Sequence, residues 1–489
     1  MTTVSSFVPR TRRNVELALL IFAVGIVMLA YLNVGFAVEG RVPIDLVTQA
    51  AWLLGFAVAF HMVLRWRASY ADPLLLPIAT LLNGLGLVMI HRLDLANDRI
   101  GSDAMANRQV MWSALSMIIA AIVLVVLRDH RRMRRYMFTM MVTGLAFLLL
   151  PMLPVLGQSV NGARIWIAVG PFSFQPGEVA KIILTVFFAA YLVQTRDALS
   201  LSGRTVLGFP LPRGRDFAPI LLVWLASLAV LVFQNDLGTS LLFFGIFVAM
   251  LYVATERISW ITIGLVLFCG GAFVAYLLFG HVQQRVMFWL DPWSPEALAQ
   301  SDQLVRGLMG MAAGGLLGTG LGQGHPELTY FAESDFIIPS FAEELGLVGL
   351  FAILLLYVLL VERGLRTALG TRDGFGKLLA AGLSFSVALQ IFVVVGGVTR
   401  VIPLTGLTSP FLSAGGSSLL ANWTIIALLL RISDHARRPV ENEVVLPRIP
   451  SQAPLHSSAE PATEPGIVPD LDDDHDPRRQ PGAGRRAGA

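Results

Sequence analysis

The chain has 489 residues, 55% hydrophobic and only 14% charged, with a mean hydropathy of +0.68 and a formal net charge of +3. A soluble domain carries about 25% charged residues, so an ordinary soluble globular protein is excluded and a polytopic membrane protein is implied. The small net charge says little about partners, no nucleic acid is expected among them, and a single cysteine, Cys269, excludes an internal disulfide and is assigned to packing.

Apolar runs of about 18 to 25 residues, each long enough to cross a bilayer, recur along the chain. Residues 1–14 precede the first and carry Arg10, Arg12 and Arg13 without a small-residue cleavage site, so the first run is read as retained. Twelve spans are expected, near 15–36, 47–65, 72–91, 110–127, 137–156, 178–194, 217–234, 237–254, 259–279, 338–361, 377–399 and 415–432. Arginines gather in alternate loops (65–67, 128–135, 195–216, 362–377 and 431–438). The positive-inside rule then places both termini in the cytoplasm.

Three segments fall on the opposite side: 157–177, the long 280–337 and 400–414. The second contains AGGLLGTGLGQG at 313–324. No βαβ unit could frame it, so it is not a nucleotide loop, and no nucleotide cofactor is expected. Short re-entrant or interfacial helices resting on protein are expected there. Residues 439–489, rich in Pro, Ala, Ser, Asp and Arg, read as a disordered tail.

Several charged residues lie in or beside hydrocarbon, where each is costly. QPGEVAKI at 175–182 opens the sixth span with Glu178 and Lys181 three residues apart, on one helix face. The chain has two lysines, Lys181 and Lys377. Lys181 either binds an anion or pairs internally with Glu178. Just upstream, NGARIWI supplies Arg164 and Trp166 at the expected membrane interface. FQNDLGTSLLFF at 233–244 puts Asp236 at a break between two apolar runs, as a functional acid or a helix cap. ESDFIIPSFAEELG at 333–346 sets Asp335 just before a helix start and carries Glu343 and Glu344 inward. Those two glutamates are read as partners of arginines, whereas Asp335 is a cap or a base.

Physics alone leaves two readings: an enzyme acting on an anionic amphiphile, or a transporter with an ion site. The ordered segments NGARIWI, QPGEVAK, QNDLGTS, GGLLGTGLGQG, SDFIIPSFAEELGLVG and PLTGLTSPFLSAGGSSLLANW resemble the shape, elongation, division and sporulation (SEDS) family of RodA/FtsW type, over roughly residues 72–435. The likeness is to actinobacterial RodA-type members, because two spans within 15–71 precede a ten-helix core. It implies an all-α polytopic membrane protein of about twelve helices, with a large extracytoplasmic loop before the tenth core-and-extension span.

The resemblance further implies a peptidoglycan glycosyltransferase of the bacterial cytoplasmic membrane that polymerises lipid II on its outer face, for elongation and shape. It implies undecaprenyl-pyrophosphate-linked glycan as substrate and product, and a class B penicillin-binding protein as partner. Asp335, in SDF, falls on the family's essential aspartate and would be the general base. A departing diphosphate needs positive charge, from Arg164, Lys181, Arg285 or a divalent cation, magnesium or manganese. Gln303, Ser413 and Ser417 fall on further family motifs, with Trp166, Glu178 and Asp236, as substrate-binding candidates. The sequence departs from the family pattern at Asn235 (for Pro), Arg306 (for Gln), Ala414 (for Tyr) and Pro339. A lipid II flippase, an FtsW-type division polymerase and a scaffold for a cell-wall complex remain as alternatives.

Overall fold

A computed structural model describes residues 11–439 apart from Ile100, Val155, Asn161, Pro171, 201–203, 207–208 and 212–213. The proposed tail lies, from Val440 onward, outside the described residues. All twelve expected spans are helices: α1 (Arg13–Glu39), α2 (Leu46–Arg67), α3 (Leu75–Ala96), α4 (Met105–Val126), α5 (Met137–Leu149), α6 (Pro176–Ser200), α7 (Gly214–Phe233), α8 (Leu237–Thr255), α9 (Ser259–Leu278), α13 (Ile337–Gly370), α14 (Gly374–Val398) and α15 (Gly416–Arg437). Among the described residues ten of them are long and apolar enough to cross a membrane, an eleventh candidate is the helical run His130–Met152 that contains α5, and α7 contributes the shorter apolar stretch Leu221–Val230. The 280–337 segment forms the short helices α10 (Gly280–Leu290), α11 (Pro295–Gln300) and α12 (Gln303–Gly314).

The interior is built from the least polar-avoiding helices, those whose small residues let neighbours approach. In α15, 83% of the hydrophobic window is buried, against 6% in α9. Helix α9 therefore turns almost every side chain to the surroundings. Cys269, expected to pack, is exposed on it. The twelve helices alternate in direction, giving two ends. One holds Arg13, Asp72 and Asp434; the other holds Asp335.

The purely helical expectation misses a small sheet at the Asp335 end. Segment 157–174 folds as antiparallel β1 (Gly157–Val160), β2 (Ala163–Val169) and β3 (Phe172–Phe174). Its alternation of branched and aromatic residues in ARIWIAV suits a strand, but a membrane-protein loop reading hides that signal. A second pair, β4 (Arg204–Val206) and β5 (Phe209–Leu211), forms a hairpin between α6 and α7.

The glycine-rich stretch explains itself at α13. Gly346 breaks that helix at φ 67°, a left-handed value that glycine adopts without a steric penalty. The freed backbone groups are satisfied by the 315–320 segment. Thr319 and Gly320 donate to the carbonyls of Glu343 and Glu344 (both 3.0 Å), and Leu347 and Val348 donate to Gly315 (3.0 Å) and Leu316 (3.1 Å). A Cβ at Gly318 would run into the Glu344 carbonyl. These glycines serve close packing against a broken helix, as in other membrane folds where irregular backbone is tolerated only on protein.

Candidate functional site

Asp335 lies on the turn that leads into α13, and the 400–415 loop wraps around it. Ser413 Oγ donates to the Ser334 carbonyl (2.6 Å) and accepts from the Ser409 amide (2.8 Å). The Ala414 amide donates to the Glu333 carbonyl (2.7 Å). These bonds clamp the two residues before Asp335, Glu333 and Ser334, to the loop. Gly406, at φ 75°, passes so close that a Cβ there would sit 3.6 Å from the Asp335 carboxylate.

Two more charged residues meet the same loop. Arg285 of α10 donates through Nη1 to the carbonyls of Leu404 (3.0 Å) and Thr405 (3.1 Å). Asp236 caps α8 by accepting from the Thr239 amide (2.9 Å), and the next residue but one, Gly238, packs against Thr405. Residues 404–406 are thus where Arg285, Asp236 and Asp335 converge. Among the described residues Arg285 makes no ion pair within 4 Å, and both acids attract it at longer range. Burial lowers its pKa, against that attraction.

Burial pushes the Asp335 carboxyl up to about 6; Ser334 and Arg285 oppose the rise, and Glu333 adds to it. Burial also raises the Asp236 carboxyl, against its bond to Thr239 and the pull of Arg285. A half-buried carboxylate poised near neutrality has the proton affinity a general base requires.

Lys181 is buried and doubly held. Its Nζ donates to Glu178 (2.9 Å) and to Gln390 Oε1 (2.8 Å), and Gln390 Nε2 donates to the Thr408 carbonyl (2.9 Å). The Gln175 amide donates to Ser417 Oγ (2.8 Å). Glu178, Lys181 and Ser417 therefore tie the start of α6 to the same loop from its far side.

Arg164, Trp166 and Gln303 stand apart from this convergence. Arg164 donates to the Leu153 carbonyl (3.3 Å), and its amide donates to Gln234 (3.2 Å). Trp166 sits mid-sheet opposite Gln158. Both belong to the sheet that covers the α7–α8 break, where Asn235 bonds the Gly162 carbonyl (3.1 Å). Gln303 donates to the Tyr330 carbonyl (2.9 Å). Beside it Arg306 bonds Asp302 (2.6 Å) and Leu328 (2.9 Å) and lies over the Tyr330 ring.

The backbone at this end is strained. Asn235, Phe331, Arg400 and Phe411 have φ of 60°, 57°, 62° and 68°. Such values cost non-glycine residues about 1–3 kcal/mol each and gather where geometry matters more than stability. A proline at 235 would be locked near φ −65°, so asparagine shapes this helix break in a way proline could not.

The profile of the cell cycle protein family that groups FtsW, RodA and SpoVE matches residues 73–438. The chain belongs to that family. It is 51% identical over 434 residues to the peptidoglycan glycosyltransferase RodA of Mycobacterium tuberculosis, covering 88% of this chain and 92% of that protein. It is 34% identical over 378 residues to stage V sporulation protein E of Bacillus subtilis, covering 76% and 99%. A solved peptidoglycan synthase complex, described as coordinating polymerization and crosslinking, superposes with a TM-score of 0.60 at 26% identity, covering 75% of this chain and 98% of that one. A variant of the Thermus thermophilus rod shape determining protein RodA superposes with a TM-score of 0.54 at 25% identity, covering 74% and 97%.

Within this FtsW/RodA/SpoVE fold, the supporting residues were harder to find in the sequence than the acids. Arg92 is buried and holds Glu344 (2.6 Å), Glu327 (3.0 Å) and the Gly324 carbonyl. Glu343 instead accepts from the His325 amide (2.6 Å). The expected arginine pairing thus holds for Glu344, while Glu343 takes a backbone partner. Gln109 grips the Ser413 carbonyl (3.0 Å) and the Gly415 amide (3.2 Å). Gln109 and Gln390 are polar residues inside apolar runs, and that is the signal that could have found them. Among the described residues no group of three or more His, Cys, Asp or Glu is placed to hold a metal ion. The side chains around Asp335 therefore do not fit a protein-built metal cage.

Proposed function

We propose that this chain is a peptidoglycan glycosyltransferase that polymerises lipid II at the outer face of the bacterial cytoplasmic membrane, with Asp335 as general base. The single observation that carries the assignment is the placing of Asp335: half-buried on the turn into α13, against Gly406 of the same loop turn that Arg285 holds. In the reaction, the acceptor sugar's 4-hydroxyl gives its proton to Asp335 as its oxygen attacks the donor's anomeric carbon. The bond from that carbon to the diphosphate oxygen breaks, and its electron pair leaves with the lipid diphosphate. A single displacement inverts the anomeric carbon. One carboxylate suffices, because the leaving group departs as an anion without a general acid.

Positive charge at the departing diphosphate is the other requirement. The geometry favours Arg285 for it, since Lys181 is already neutralised by Glu178. Lys181 and Glu178 then act as positioning residues through Gln390 and the 408 loop. Ser413 plays the same part from the loop itself, and Ser417 from the first turn of α15. A divalent cation, if used, would travel with the diphosphate, and no step is assigned to it. Arg164, Trp166 and Gln303, held in the sheet and at the Tyr330 carbonyl, are the remaining substrate-binding candidates.

Orientation follows from charge. The end opposite Asp335 carries Arg65, Arg67, Arg128, Arg131, Arg132, Arg134 and Arg135 in short loops, which favours the cytoplasm. That leaves the ends of the chain inside and Asp335 outside, where a class B penicillin-binding protein would cross-link the product.

The test is polymerisation of lipid II by purified protein with its partner. Asp335→Ala is expected to fold and to make no glycan. Normal glycan from that variant would end the assignment, and movement of labelled lipid II across vesicles without polymer would replace it with a transporter.

A further inference from the structure

Helices α1 and α2 precede the family-matched residues 73–438, and between them and α3–α4 lies a cavity of about 400 Å³. Its walls are of two kinds. Val27, Met28, Leu53 and Val88 form an apolar side, whereas Glu39, Arg41, Asp45, His91, Asp94 and Arg99 form a polar mouth. A single water occupies about 30 Å³ of liquid, so this volume is that of a headgroup with the start of a chain.

Most of the polar groups already have partners. Asp45 accepts from Tyr31 Oη (2.8 Å) and Gln49 Nε2 (3.2 Å), and Glu39 accepts from Arg41 (3.0 Å). Two atoms do not. Asp94 is 2% exposed; its Oδ2 accepts from the Ala106 amide (2.7 Å), but its Oδ1 has no hydrogen-bond partner. Arg99 Nη1, 3.9 Å from that oxygen, has none either. A buried carboxylate oxygen without a donor is expensive. An acceptor and a donor held at ion-pair distance with neither hydrogen bond made suit a ligand that brings both a donor and an acceptor.

We propose that this cavity binds the phosphoethanolamine headgroup of an aminophospholipid, its ammonium on Asp94 and its phosphate beside Arg99 and Arg41. Charge selects this class. Three carboxylates and two guanidiniums line the mouth, so a headgroup with a cationic donor suits it better than an anionic one. The apolar wall of Val27, Met28, Leu53 and Val88 takes the first methylenes of the acyl chain. A quaternary ammonium offers no N–H to Asp94 and is discriminated against. Arg99 also lies 3.8 Å from Glu333, two residues before Asp335, so occupancy bears on the turn that carries it.

The full chain, purified and exchanged against vesicles of phosphatidylethanolamine, phosphatidylcholine and phosphatidylglycerol in equal parts, is read by native mass spectrometry. Phosphatidylethanolamine is expected to be retained about tenfold over the other two, the size of one charge-assisted hydrogen bond. Asp94→Asn keeps an oxygen for the Ala106 amide and should bring that ratio close to one. Arg41→Gln, at a side chain 63% exposed and so harmless to folding, should lower retention while leaving the ethanolamine preference. Equal retention of the three lipids, or an undiminished preference in Asp94→Asn, would overturn the proposal. So would an Arg41→Gln protein with unchanged retention, or occupancy by free phosphoethanolamine with the lipid left unbound. None of these readouts depends on glycosyl transfer.

Discussion

The two ends of the helix bundle both bury charge and pair most of it, but only the Asp335 end leaves a raised acid without an ion pair. At the arginine-rich end the buried acids among the described residues, Asp434, Asp72 and Glu16, are answered. Asp434 bonds the Tyr70 amide (2.9 Å) and pairs with Arg431 (3.5 Å) and Arg438 (2.8 Å). Asp72 pairs with Arg437 and accepts from the Leu74 amide (2.9 Å). Glu16 is shared by Arg13 and His61. Burial raises the Asp373 carboxyl there, but His130, the Gly376 amide and Arg131 outweigh it and hold the group well below the usual carboxylate range. At the other end Asp335 is pushed up, and Arg285 stands near without closing on it. A charge that is paired on all sides holds helices together; one left between partners has a proton and a surface to offer.

The strongest way to break this contrast is at the unpaired acid. Asp335→Asn keeps the volume and removes the base, so polymerisation should fall by about 10²–10⁴, with the thermal unfolding midpoint unchanged. A variant that unfolds early instead would make Asp335 a structural group like Asp434.

The converse substitution belongs at the paired end. Asp434→Asn leaves Arg431, whose side chain is 4% exposed, without its carboxylate, and breaking a buried pair costs about 3–5 kcal/mol. Thermal unfolding monitored in detergent should show that loss, while the molecules that remain folded polymerise at the normal rate. Arg285→Gln sharpens the site itself. It removes the cation proposed for the departing diphosphate, for a rate loss of about 10²–10³, and it removes a group that lowers the Asp335 pKa. The rate profile should therefore move to higher pH as well as downward. A pure rate loss at unchanged pH dependence would place Arg285 away from the base.

What the sequence disclosed of this contrast was uneven, for physical reasons. Twelve spans were legible because hydrocarbon demands about 20 apolar residues for each crossing. Asp335, Asp236, Glu178 and Lys181 stood out because charge beside such runs is costly. The pairing of Lys181 with Glu178 was legible at three residues' spacing, but its second partner, Gln390, lies 209 positions away, and one sequence holds no record of that proximity. The β1–β3 sheet went unread because its strands are short and interrupted by glycines, in a segment flanked by spans. Arg164 and Gln303 carry family motifs, and their hydrogen bonds go to carbonyls away from the 404–406 turn. Only the folded chain separates residues that meet the 404–406 turn from those that hold the walls around it.

The smallest expected effect is also the one that distinguishes the two carboxylates most directly. Asp335 must be ionised to accept a proton, and its carboxyl sits at about 6. The fraction ionised then rises about tenfold between pH 5 and pH 7, and the rate of polymerisation should rise with it and level off above. Stability runs the other way. A carboxyl whose folded pKa is raised binds its proton more tightly in the folded state, so its contribution to stability is largest at acid pH and falls as pH climbs from the ordinary carboxylate range to about 6. Asp373 has the opposite sign: held low, it stabilises above the ordinary carboxylate range and is lost on acidification. Activity and unfolding measured across pH 4 to 8 on the same preparation should separate the two groups. The rate should follow the raised acid even where total stability, governed by the many paired carboxylates, is flat. A rate that tracked stability across that range would mean that folding of the paired end, and not ionisation of Asp335, limits the reaction.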